Sequence, residues 1–224
     1  MKLIKCTLLA ILPLILLIGC QTTNIRQDYS LDSTSGNNIA LVVGSVTQNL
    51  ESSKHTVSSF KIDYQSKSTT KTMYSQITNE FLGTLANKYE FKENDRGGRL
   101  FVVEIESGRH SVDNFSINHN GGQLVLHPKV PPPSLEFDIK QGEIMYLGSF
   151  HIDIKSGKNL LGFAVPVGGV PSIGDMYDRD VKYFYEKYPQ FNDENVINNT
   201  LHEGVWIDDI NKPEALVIPT SDEQ

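Results

Sequence analysis

Residues 143–154 (EIMYLGSFHIDI) alternate along their whole length. Ile144, Tyr146, Gly148, Phe150, Ile152 and Ile154 fall on one side of an extended chain, and Met145, Leu147, Ser149, His151 and Asp153 on the other. A period of two is the mark of a strand, because successive Cβ atoms point to opposite faces. The second face is apolar at its start and polar at its end, so burial is expected there only at the start. A strand this long and this apolar needs sheet partners and a covering layer.

Other segments predict those partners. Residues 39–47 (IALVVGSVT) are apolar and β-branched between Asn38 and Asn49, a buried strand with Gly44 as its candidate bulge. Residues 57–64 place Phe60, Ile62 and Tyr64 on one face, residues 69–77 form a weaker strand, and residues 99–105 (RLFVVEI) a strong one. Ser107-Gly108 turns into residues 109–118, and Asn120-Gly121-Gly122 turns back into residues 123–127, since these residue types accept positive φ. Pro131, Pro132 and Pro133 cannot donate to a ladder and predict a loop or an exposed edge. Residues 134–139 alternate, and residues 160–167 are expected to complete the sheet. Residues 81–89 fit a short helix as well as a strand. The clearest helix is 175–188: Val181, Phe184, Tyr185 and Tyr188 share a side, Asp175, Asp178 and Asp180 enrich the N-terminal part, and Pro189 ends it. Many short strands with helices few and late predict a mainly β chain, an antiparallel β-sandwich with one late α-helix. This domain is expected to span residues 39–224.

Residues 1–38 are of another kind. Lys2 and Lys5 precede an apolar run at residues 7–18. As a helix that run would rise about 18 Å, short of the roughly 30 Å hydrocarbon core, so it reads as a secretion signal. Leu17-Ile18-Gly19-Cys20 resembles a bacterial lipobox. The resemblance implies cleavage between Gly19 and Cys20, acylation of Cys20 with palmitate-class chains, and residues 1–19 as the signal peptide. Two or more acyl chains, at about 0.8 kcal/mol per buried methylene, make an effectively permanent anchor. Gln21 follows the cysteine, where aspartate in that class commonly retains the protein at the inner membrane. The implied location is therefore the outer membrane, at its periplasmic face or at the cell surface. Residues 20–38 are polar with scattered apolar positions and read as a flexible tether.

Charge and cysteine use narrow the function classes. Net charge is −7, and loss of Lys2 and Lys5 with the signal leaves 18 basic against 27 acidic side chains. That balance disfavours nonspecific binding to nucleic acid or to anionic headgroups, both of which require positive charge, and leaves open only a local basic patch. The cysteines are Cys6 and Cys20 alone. A mature body without other thiols excludes a disulfide framework, a cysteine-built zinc site and a cysteine nucleophile.

Residues 104–110 (EIESGRH), Phe115-Ser116-Ile117, the Gly121-Gly122 turn, residues 134–150 (SLEFDIKQGEIMYLGSF) and Tyr185 to Pro189 together resemble a family of uncharacterised bacterial envelope lipoproteins. Those proteins commonly read F-x-V-x-x-G-x-x-x-Y-x-G. Phe137, Ile139, Gly142, Tyr146 and Gly148 match that pattern, with Ile139 in place of valine. The resemblance covers about residues 99–189 and implies a transthyretin-like or related β-sandwich. Residues 105–112 (IESGRHSV) depart from the family's proline- and tyrosine-bearing turn. The shared residues are turn glycines and core aromatics, so a scaffold is implied and no reaction.

Candidate chemistry is sparse. His202-Glu203 starts like a zincin helix, but Trp206 stands where the second histidine must be. His119 and His127 flank the Asn-Gly-Gly turn out of register with each other, which argues against a shared metal. Asp175, Asp178 and Asp180 lack the ligand spacing of a calcium loop and are expected to complement the helix N-terminus. Gly97-Gly98 and Gly168-Gly169 have no accompanying P-loop lysine. Tyr177, Tyr183, Tyr185 and Tyr188 offer an aromatic binding surface, with Tyr185 and Tyr188 expected to pack on the sheet. No catalytic, cofactor or metal residues are assigned. The expected function is a noncatalytic binding or assembly module, joined to the membrane through its lipidated N-terminus, with another envelope protein as candidate partner. The alternative is an envelope hydrolase with a loop-built active site using His110, His127, His151 or His202.

Overall fold

A computed structural model describes residues 24–31, 38–50, 56–64, 70–75, 89–119 and 124–208. Gly19 and Cys20, the Asn120-Gly121-Gly122 turn and residues 81–88 lie outside the described residues. The strands are β1 (Ile39–Asn49), β2 (Thr56–Tyr64), β3 (Thr70–Ser75), β4 (Phe91–Glu93), β5 (Arg96–Glu106), β6 (Gly108–His119), β7 (Leu124–Leu126), β8 (Leu135–Ile139), β9 (Ile144–Lys158) and β10 (Ala164–Gly174). Helix α1 (Tyr177–Lys187) follows, then a 3-10 turn at Pro189–Phe191, β11 (Val196–Asn198) and β12 (Gly204–Val205).

The chain is mainly β, with a sandwich and one late α-helix, as expected. One sheet runs β12-β10-β9-β1-β5-β4, with β11 also on β9, and the other runs β3-β2-β6-β7, with β8 also on β6. The pairing is not antiparallel throughout. β1 lies parallel to β9, and so does β11. A continuous apolar strand suits a central place covered on both faces. β1 is such a strand, buried from Ala40 to Gln48, and that position brings it beside β9 although the whole second sheet intervenes in the chain.

Three layers result. Ala40, Val42 and Val46 of β1, Phe101 and Val103 of β5, and Phe150 and Ile152 of β9 meet Phe60, Ile62, Phe115 and Ile117 of the second sheet in the principal core. The opposite face of the first sheet, with Leu41, Val43, Val102, Ile144 and Tyr146, is covered by Val181 and Phe184 of α1 together with Tyr188, Phe191 and Val196. Trp206 closes the principal core, 6.3 Å from the Phe60 and Phe115 rings, and its indole N–H donates to the Pro133 carbonyl at 2.8 Å. The triproline segment is the loop between β7 and β8, pinned by that bond.

Four expectations are corrected. The faces of β9 do not alternate through its length: Met145 and Leu147 join Phe150, Ile152 and Ile154 in the principal core, while Ile144 and Tyr146 face the helix. The parity changes at Gly148, which has φ +123°, where the register with β1 steps from Val43↔Tyr146 to Ser45↔Ser149. A one-residue bulge sends every later side chain to the other face. Second, the strand expected at 160–167 begins at Ala164 and runs to Gly174, because Asn159 closes a turn across Leu160–Phe163. Third, the polar stretch after α1 contains β11, which takes the edge of β9 at Ile144–Tyr146 that β10 leaves open. Fourth, part of the segment read as a flexible tether lies on the sheet. Ile25 N–H donates to the Val102 carbonyl at 2.9 Å, Asn24 exchanges bonds with Leu100 and Val102, and the Tyr188 hydroxyl reaches the Ile25 carbonyl.

Candidate functional site

Two places collect polar side chains around α1: one inside the molecule and one on its outer surface. The inner one centres on Asp180, which is fully buried. Its Oδ2 accepts the Ser45 hydroxyl at 2.7 Å and the Tyr146 hydroxyl at 2.9 Å, and its Oδ1 accepts Arg179 Nε at 2.8 Å. Ser45 has one hydroxyl proton, committed to Asp180, so its oxygen receives Ser149 Oγ at 2.9 Å and Arg179 at 3.0 Å. Arg179 also pairs with Glu93 at 2.8 Å and lies 4.4 Å over the Phe91 ring. Burial raises the Asp180 carboxyl above its ordinary range, opposed by Arg179 and by the hydroxyls of Ser45 and Tyr146. Burial also raises the Tyr146 phenol, reinforced by Asp180.

This cluster contains a serine bonded to a carboxylate, yet Ser45 and Asp180 are each at 0% exposure, so no substrate reaches them. Its work is to fasten α1 to β1 and β9. Asp180 stands in the first turn of α1, as expected of a residue that complements the helix N-terminus, but it is buried and its carboxylate is taken up by side chains of β1 and β9 as well as by Arg179. Asp175 and Asp178 fit that expectation better: Asp175 Oδ1 accepts the Tyr177 N–H at 2.9 Å, and Asp178 is exposed in the first turn. The helical spacing held a clue, because Asp180 stands four residues before Phe184 and so on the buried face. Ser45, Ser149 and Tyr146 carried no comparable sign.

The outer place is a shallow groove of about 490 Å³ along the exposed side of α1, with Tyr177, Val181 and Tyr185 as its apolar stripe and Asp178, Lys182 and Glu186 beside it. The tyrosines are held at their tips. Tyr177 donates to the Val196 carbonyl, and Tyr185 to the Glu194 carbonyl at 2.8 Å. Both rings are half-buried and fixed between the helix and the segment leading into β11. Tyr188 is buried, as expected, whereas Tyr183 stacks on Phe91 at 5.4 Å and belongs to another side of the helix.

The histidines do not gather. His110 is buried on β6, with Nε2 on the Glu106 carbonyl at 2.7 Å. His151 is buried on β9, with Nδ1 2.9 Å from the Thr47 hydroxyl, and burial with the nearby Arg96 lowers it to about 4. His119 is buried against Thr56, whereas His127 is exposed beyond β7. His202 bonds to the Val205 carbonyl at 3.1 Å. Among the described residues no group of three or more His, Cys, Asp or Glu side chains is placed to hold a metal ion. Gly97 and Gly98 serve packing: a Cβ on either would meet the ring of Tyr89 or Phe91 at 2.6 Å or less. Gly168 sits at a register shift between β9 and β10, and a Cβ on Gly169 would strike Ile152 and Ile117.

No family model and no curated protein matches this chain. A solved structure of a leucine-rich repeat protein from Bacteroides thetaiotaomicron is similar over 53% of this chain, at 12% identity and a TM-score of 0.30. This chain spans 14% of that protein's length.

Proposed function

We propose that this chain is a lipid-anchored bacterial envelope lipoprotein whose β domain is a noncatalytic binding or assembly module. Cys20 carries the acyl anchor, the outer membrane is the location, and another envelope protein is the partner. The observation that supports a binding role is the groove on α1. It is apolar at its centre, flanked by charges of both signs, and held in shape by two tyrosine hydroxyls bonded to backbone. Pre-set aromatic side chains contribute contact area at low entropic cost, which favours recognition.

The test is photocrosslinking in native membranes, with the crosslinker at Lys182 in the groove and, as control, at exposed Lys140 on the turn before β9. A discrete protein adduct from the Lys182 position, absent from the Lys140 position, is the expected result. The same pattern at both positions, or none at Lys182, overturns the groove as the binding surface.

A further inference from the structure

Beyond Ile154 the first sheet narrows to two strands among the described residues. The last β1 rung on β9 is Gln48↔Ile152, and Asn49 Oδ1 still receives the Ile154 N–H at 3.1 Å. The β9–β10 pairing alone continues, from Gly168↔Lys155 to Ala164↔Lys158. The arm so formed ends in Asn159–Phe163, and its tip is apolar: Leu160 is fully exposed, Leu161 79% and Phe163 65% exposed.

This tip is built rather than loose. Asn159 Oδ1 accepts the N–H groups of Leu161 at 3.0 Å and Phe163 at 2.9 Å. The Asn159 N–H donates to the Phe163 carbonyl at 2.9 Å, and the Gly162 N–H to the Asn159 carbonyl at 2.8 Å. Gly162, at φ +82°, permits the reversal. Four main-chain N–H groups and two carbonyls are thus satisfied inside the turn, while three large apolar side chains are held in water. A soluble surface gains nothing from that arrangement, and exposed apolar clusters mark contact sites. Entry into hydrocarbon, in contrast, requires backbone groups satisfied from within.

Charge selects the occupant. Residues 154–174 contain Lys155 and Lys158 and no carboxylate, in a chain of net charge −7. Lys155 is paired with Asp153 at the base of the arm, and Lys158 stands next to the turn. Apolar side chains at a tip with lysine behind them match the order of acyl chains and anionic headgroups in a bilayer surface. We propose that the β9–β10 arm is a membrane-contact element that inserts Leu160, Leu161 and Phe163 into the interface of an anionic lipid bilayer. This contact is separate from the acyl anchor and does not depend on it.

The test uses the full chain carrying F163W with vesicles of phosphatidylglycerol and phosphatidylcholine, some with acyl chains brominated near the headgroup. The native Trp206 is buried and gives the baseline in the unsubstituted protein. Expected is a blue-shifted indole emission from F163W, quenched severalfold by the brominated lipid, and a loss of that quenching when L160S and L161S are added. An unquenched indole overturns the proposal, whether or not the protein sediments with the vesicles. So does quenching that L160S and L161S leave unchanged. Sedimentation reads the anchor and quenching reads the tip, so failure of one is distinguishable from failure of the other. Protection of the F163W indole by a native envelope protein but not by vesicles overturns the lipid assignment in favour of a protein contact.

Discussion

Asp180 is held by three donors in a place closed to water, and its partners were placed for it. Removing one member of a buried ion pair leaves the other charge without compensation, at a cost of about 3–5 kcal/mol. Asp180→Ala is therefore expected to lower the urea midpoint, by less than that full cost, since it removes the acceptor of Ser45 and Tyr146 but leaves the partly exposed Arg179 paired with Glu93. Pairing it with Arg179→Met should recover part of the loss, because the partly buried cation then goes as well; equilibrium unfolding of the two variants checks both claims. His151 makes a separate prediction. Its folded-state value, about 4, lies below the ordinary 6.5, chiefly through burial. The unfolded chain therefore binds the proton more readily between those values. Stability is fully present above about pH 6.5 and is lost as pH falls toward 4, by at most roughly 3 kcal/mol. His110 is lowered in the same direction, also chiefly by burial, and adds to the slope. Unfolding free energies measured from pH 7 to 4 should fall less steeply for His151→Gln than for the unsubstituted protein.

At the level of elements, β9 decides most of the architecture. Its first rungs lie between β1 and β11, its later ones between β1 and β10, and Gly148 marks the change. The positive φ there suits glycine, and an added Cβ would lie 2.7 Å from Ile173 Cγ2. Gly148→Ala is expected to cost roughly 1–3 kcal/mol in backbone strain, with overpacking in addition. Thermal unfolding would check it, and an unchanged midpoint would show that the bulge is not required. Alternation along residues 143–154 correctly revealed the strand but could not reveal this bulge, because apolar residues occupy both faces before Gly148, so a change of buried face leaves no break in the pattern. β11 escaped notice for a related reason: Val196–Asn198 is three residues long in a polar neighbourhood, and only the open edge of β9 makes it a strand. Helix α1 was legible because its apolar residues recur at helical spacing and Pro189 follows it.

For the whole molecule, the proposed anchor and the body make independent claims. Cys20→Ala is expected to leave the fold and its unfolding midpoint unchanged, since the core is assembled from residues beyond the signal. The same change should abolish acylation and release the protein from membranes under a high-salt wash. Persistence in the washed membrane fraction would count against the lipobox. No described helix is long and apolar enough to cross a bilayer.

Composition and periodicity by themselves determined the β class, most strand positions and the late helix, because each rests on neighbouring residues. A period or a turn is complete within a short window. The tertiary structure decided the parallel centre, the parity change at Gly148, the docking of Asn24–Leu31, the burial of Asp180 and the projection of Leu160–Phe163 into solvent. Each of these depends on which distant segment lies alongside, and the local pattern is the same whether that neighbour is present or not.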